Sequence, residues 1–143
     1  MGMFEALLIL NALWFFAGFH LFYLRRHVFA KILVPKQDRD TPVLATLTAT
    51  GRFMGGFNFA FMVLNLLLLF NLSAFDSDHQ RAILLTVMAV AHGSQFVGNL
   101  PIALENRHGR GVWNVLGGLM LFIFITDITL MLLNAALAIM LWM

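Results

Sequence analysis

VWNVLGGLMLFIFITDITLMLLNAALAIMLWM, residues 112–143, holds one ionisable side chain, Asp127, in an otherwise apolar and small-polar run. A helix rises about 1.5 Å per residue, so a run of this length exceeds the ~20 residues needed to cross the hydrocarbon of a bilayer. Three more such runs precede it: Ala6 to Leu24, Phe53 to Phe75 and Ala82 to Leu104. Lipid offers no partner for an open backbone, and apolar runs of this length satisfy theirs internally as helices. The predicted fold is therefore all-α, a four-transmembrane-helix bundle in a single domain over residues 1–143. The predicted helices cover about 5–34, 42–73, 78–105 and 112–142.

Composition supports the same reading. Hydrophobic residues make up 61% of the chain and charged ones 11%, too little polar surface to cover a soluble domain of 143 residues. Cysteine is absent, which excludes disulfides, thiolate metal sites and cysteine nucleophiles. The net charge of +2 is small, and its bases sit in short loops, so nucleic-acid binding is not expected. Arg25, Arg26, Lys31, Lys36, Arg39, Arg52, Arg107 and Arg110 lie at one set of helix ends, and only Arg81 lies at the other. By the positive-inside rule the first and third loops are cytoplasmic and both termini face out, as in a bacterial inner-membrane protein. The first run follows an acid, Glu5, with no base before it, and reads as a retained helix rather than a cleaved leader.

Local signals place several helix ends. Asp40-Thr41-Pro42 supplies capping side chains and a proline at the first helical position, which starts the second span near Pro42. Ser77-Asp78-His79-Gln80 has the spacing of a capping box and starts the third. Ahead of both, His27 to Val34 mixes bases with apolar residues and is expected to continue the first helix along the membrane interface.

Polar side chains inside lipid are costly, and each is a candidate site. Asn11, Asn65, His92 and Asp127 each lie about 13 to 15 residues from the basic end of their spans, near a depth of about 20 Å. One polar residue from each helix is thus expected in a single mid-membrane layer, with His92 as the partner for Asp127. Such a layer can be a structural network fixing helix register, or a site where imidazole and carboxylate share a proton or hold a cation.

A second group lies nearer the basic ends. His92, Gln95 and Asn99 share one face of the third span, with Glu105 beyond them. Together with His20 and Arg52 they form a possible ligand or anionic-headgroup site. Gly51, Gly55 and Gly98 are expected at helix packing faces, where small residues permit close approach. The histidines do not supply two haem ligands at one depth, and no His-x-x-x-His or paired Glu-x-x-His occurs. No metal site is expected, and the residues identify no cofactor. Serine-hydrolase, phosphate-loop and zinc-protease motifs are also absent.

Gly51-Arg52-Phe53-Met54-Gly55-Gly56-Phe57 resembles the Arg-x-x-Gly-Gly opening of a helix in DoxX-like small four-helix membrane proteins. The resemblance covers one helix of four and implies a small bundle, often an accessory membrane subunit. The four-helix glutathione and eicosanoid enzymes carry a Glu-Arg-plus-Asn signature in their second helix. Here Glu105-Asn106-Arg107 falls in a loop instead.

The function these observations favour is a non-enzymatic accessory or interaction subunit, in a homo-oligomer or larger membrane complex. Proton- or ion-linked transport through His92 and Asp127 is the alternative from a different class. A lipid- or hydrophobe-modifying enzyme is the third.

Overall fold

The computed structural model describes residues 2–143. It is all-α, with five helices and no strand among the described residues. In chain order these are α1 (Met3–Phe19), α2 (Arg26–Leu33), α3 (Pro42–Phe70), α4 (Asp78–Asn106) and α5 (Gly118–Trp142). Four stretches are long and apolar enough to cross a membrane: Met3–Leu24, Pro42–Phe70, Asp78–Asn106 and Gly118–Trp142. The chain forms two compact units, one of Ile9–Leu67 and the other of Met1–Leu8 with Leu68–Met143.

Several helix bounds differ from those expected. A continuous first helix over about 5–34 is replaced by α1, a π-helical turn at His20–Leu24, and a separate α2. The π turn closes with the Arg25 amide donating to the His20 carbonyl at 2.8 Å, and Arg25 leaves the helical region at φ −104°, ψ 27°. Beyond that break α2 buries Phe29 and Ala30 and leaves His27 and Lys31 exposed, an amphipathic segment of its own. The expected capping box at the start of α4 does not form, since Ser77 makes no side-chain cap. Arg81 pins this turn instead, its Nε donating to the Phe75 carbonyl at 2.8 Å and its guanidinium lying 5.3 Å from the Phe4 ring. Pro42 does begin α3.

The last helix starts at Gly118 rather than near residue 112. Asn106 explains the delay. Its Oδ1 accepts from the Val115 amide at 2.6 Å, and its Nδ2 donates to the carbonyls of Arg110 and Trp113 at 2.9 Å each. These bonds hold the segment in a loop that competes with helical pairing. Gly118, at φ 57°, then makes a turn that a side chain would strain.

In the Ile9–Leu67 unit, rings of α1 and α3 meet in pairs: Phe15 stacks on Phe61 at 5.0 Å and Phe19 lies 5.1 Å from Phe59. Further along, Gly51 and Gly55 of α3 lie against the backbone of the π turn. A Cβ at Gly51 would come 2.8 Å from the Phe22 carbonyl oxygen, and one at Gly55 would come 2.7 Å from the Tyr23 nitrogen. Two backbones approach this closely only where one of them carries no side chain at the contact, as α3 does not at Gly51 and Gly55.

In the other unit, α4 and α5 pair along their length. On α5, Met120, Ile123, Asp127, Leu130, Asn134 and Leu137 are buried. Their alternating three- and four-residue spacing is the heptad pattern of a helix seam. On α4, Ala82, Leu85, Ala89, His92 and Ala103 follow the same pattern. The rungs are antiparallel: His79 meets Trp142 at 4.2 Å, Gly93 sits beneath Met131, and Phe96 stacks on Phe124 at 4.6 Å. In lipid the seam is held by dispersion and polar contacts rather than by expulsion of water.

Candidate functional site

Heptad spacing places His92 and Asp127 on facing seams, and the structure brings them together. His92 is the midpoint of the 29-residue α4, about 20 Å from either helix end. Its Nδ1 lies 3.5 Å from Asp127 Oδ1, and both side chains are sealed, at 0% and 1% exposure. That separation is longer than a short hydrogen bond. In a low-dielectric seam each group has its best electrostatic complement in the other, and neither can be moved into lipid without a large desolvation cost.

Asn134 adds a third polar side chain to this seam. It lies two turns beyond Asp127, is completely buried, and donates from Nδ2 to the Leu130 carbonyl at 2.8 Å. The sequence contained a signal for it. Met120, Asp127 and Asn134 recur every seven residues, so an asparagine and a carboxylate occupy equivalent core positions. Polar residues at such positions specify register at a cost in stability.

The remaining members of the expected mid-membrane layer, Asn11 and Asn65, belong to the other compact unit. Both are completely buried, and Asn65 Nδ2 donates to the Phe61 carbonyl at 2.8 Å.

The second expected group has members in both compact units. Asn99 bridges α4 to the loop before α5, with Nδ2 donating to the Gln95 carbonyl at 3.0 Å and Oδ1 accepting from Trp113 Nε1 at 3.3 Å. Glu105 is exposed at the end of α4. In the Ile9–Leu67 unit His20 is exposed in the π turn, whereas Arg52 lines a cleft with Arg26, His27 and Arg39. Gly98 has open space around it, and the close approach on α4 occurs at Gly93 instead, where a Cβ would meet Met131 Sδ at 3.0 Å.

Along α4 and α5 runs a groove of about 570 Å³, with Ala89, Gly93, Ala135 and Ala138 among the residues lining it. Thr86 and Ser94 also line it, but their hydroxyls donate to the carbonyls of Ala82 and Ala91 at 2.8 Å each. The groove therefore offers an apolar surface in which small residues alternate with larger ones such as Val90, Val97 and Ile139, with its hydroxyl donors already engaged. No group of three or more His, Cys, Asp or Glu placed to hold a metal ion occurs among the described residues. No protein-family model, curated protein or solved structure matches this chain.

Proposed function

We propose that this chain is a non-enzymatic integral membrane subunit whose α4–α5 hairpin receives a transmembrane helix of a second polypeptide. The observation that carries this reading is the groove with Ala89, Gly93, Ala135 and Ala138 among its lining residues. Acyl chains gain little from a small-residue surface, because lipid and side chain are equally apolar. A helix gains close backbone approach. The His92–Asp127 pair supports the same reading from inside the seam, since it fixes the two walls of the groove in register. The placement of eight of the nine Lys and Arg favours a bacterial inner-membrane setting with the first and third loops cytoplasmic.

The absence of cysteine provides a clean background for the test. Val90→Cys and Val97→Cys, both on exposed groove residues, are expected to give one discrete crosslinked product with a short bifunctional reagent in native membranes. Filling the groove with Ala135→Leu should reduce that product about tenfold, the loss of 1–2 kcal/mol of helix packing. The mass of the product distinguishes a second copy from another protein. If Phe57→Cys, on an exposed position of α3, gives the same product, or Ala135→Leu leaves the product intact, the groove is only lipid-coated.

The buried pair itself favours a second reading, proton- or cation-linked transport. An ionisable residue inside a membrane span is costly, and transport pathways are a common place to find one. Proteoliposomes carrying the chain would then dissipate an imposed pH gradient, and Asp127→Asn would abolish the flux. Equal rates for wild-type, Asp127→Asn and empty vesicles would remove this reading.

A further inference from the structure

Where the loop between α2 and α3 folds back, a cleft of about 550 Å³ opens, lined by Arg26, His27, Arg39, Asp40, Thr48 and Arg52 among others. None of the three guanidiniums has a carboxylate within 4.0 Å among the described residues. Arg39 is nonetheless fixed in place, with Nε donating to the Val34 carbonyl at 3.1 Å and Nη2 to the Lys31 carbonyl. Arg26 is tied more lightly, through Nη1 to the Tyr23 carbonyl at 3.2 Å. Three cations line the cleft against a single carboxylate, Asp40, which pairs with none of them; they repel one another, and an anion between them relieves that repulsion.

Thr48 is an independent sign of a ligand. It lies one turn before Arg52 on α3, is 7% exposed, and its hydroxyl has no hydrogen-bond partner. Thr50, Thr86, Thr126 and Thr129 each turn their hydroxyl onto the carbonyl four residues earlier. A buried hydroxyl left open costs free energy unless something else fills it.

We infer that this cleft binds a phosphate ester. The guanidiniums offer paired N–H donors suited to phosphate oxygens, and the Thr48 hydroxyl adds a donor at the buried end. Asp40 lines the same cleft and would repel a bare anion. It therefore selects an ester whose other end donates hydrogen bonds, through a hydroxyl or an ammonium. A lipid headgroup and a soluble sugar or glycerol phosphate share this chemistry.

The full chain in neutral detergent tests the soluble source by its thermal shift with glycerol 3-phosphate. Flotation with phosphatidylcholine vesicles, with and without phosphatidylglycerol, followed by mass spectrometry of retained lipid, tests the headgroup. Binding in the first arm assigns a soluble ester, and enrichment only in the second assigns a lipid. Arg52→Gln should weaken whichever arm responds by about tenfold or more, the loss of a charged hydrogen bond. Thr48→Val, which keeps the side-chain shape, should weaken it about threefold to tenfold. Arg107→Gln with Arg110→Gln, in a different basic loop, should leave binding unchanged. No response in either arm overturns the inference, as does an equal loss in the Arg107/Arg110 control. Melting of the unliganded variants separates loss of binding from loss of fold.

Discussion

Asp127→Ala is expected to destabilise the α4–α5 hairpin by about 3 kcal/mol, the low end of the range for breaking a buried pair. The carboxylate is completely buried, and its removal leaves the His92 imidazole without that partner inside a sealed seam. The low end applies because helices that separate within lipid keep their backbone bonds, and a freed side chain there finds other partners. Replacing both groups reverses the sign of the argument. With His92→Leu and Asp127→Leu together, neither member of the pair is left without the other, and the hairpin should recover most of the loss or exceed wild-type stability. Asp127→Asn should fall between the two, since it keeps the shape and a polar end. Titration of folded chain with SDS in mixed micelles, followed by helix signal, measures all four proteins. A single-alanine variant within about 0.5 kcal/mol of wild type, the range of a neutral surface change, would show that the pair does not lock the seam.

The parts of this design differ in how readable they were from residues alone. The four spans were legible because lipid demands long apolar runs, and Pro42 marked the start of α3 because a missing N–H is tolerated only at the first turn. His92 and Asp127 were matched by depth, since rise per residue converts position into distance. The split of the first helix was not legible: a π turn inserts one residue into a helix without changing its composition, and its cause lies partly on α3, at Gly51 and Gly55. The late start of α5 was hidden for a similar reason. Val112-Trp113-Asn114-Val115-Leu116 is apolar enough to continue the helix, yet Asn106 holds that backbone from outside the segment. Distance from the helix end groups Arg52 with His20 and Glu105. That Arg26 and Arg39 line a cleft with Arg52 depends on how the loop folds back, which the Arg39 bonds to Lys31 and Val34 carbonyls decide. Asn134 is legible only through its seven-residue spacing from Asp127, which places it in the seam.

Gly55→Ala and Gly56→Ala, one methyl group added at successive positions, are expected to move stability in opposite directions. Alanine is the better helix former by about 1 kcal/mol, so both substitutions gain on propensity alone. At Gly56 nothing lies within 4 Å of the new Cβ, and the gain should appear in full. At Gly55 the new Cβ would sit 2.6 Å from Tyr23 Cβ and 2.7 Å from Tyr23 nitrogen. Those atoms belong to the π turn and to the root of a side chain, and neither moves by rotating a bond at its far end. The helices must part, at an overpacking cost of about 1–3 kcal/mol that exceeds or cancels the propensity gain. Gly51→Ala should behave like Gly55→Ala, since its Cβ would meet the Phe22 carbonyl oxygen at 2.8 Å. Parting α3 from the π turn has a second effect, because Arg26 is bonded to the Tyr23 carbonyl and lines the cleft with Arg52. Gly55→Ala should therefore weaken phosphate-ester binding as well as stability, while Gly56→Ala leaves binding unchanged. Thermal melts with and without glycerol 3-phosphate or phosphatidylglycerol measure both effects on the same samples. If the two alanines shift the melting temperature in the same direction, α3 and the π turn are not in backbone contact, and the rigid link between that contact and the basic cleft fails with it.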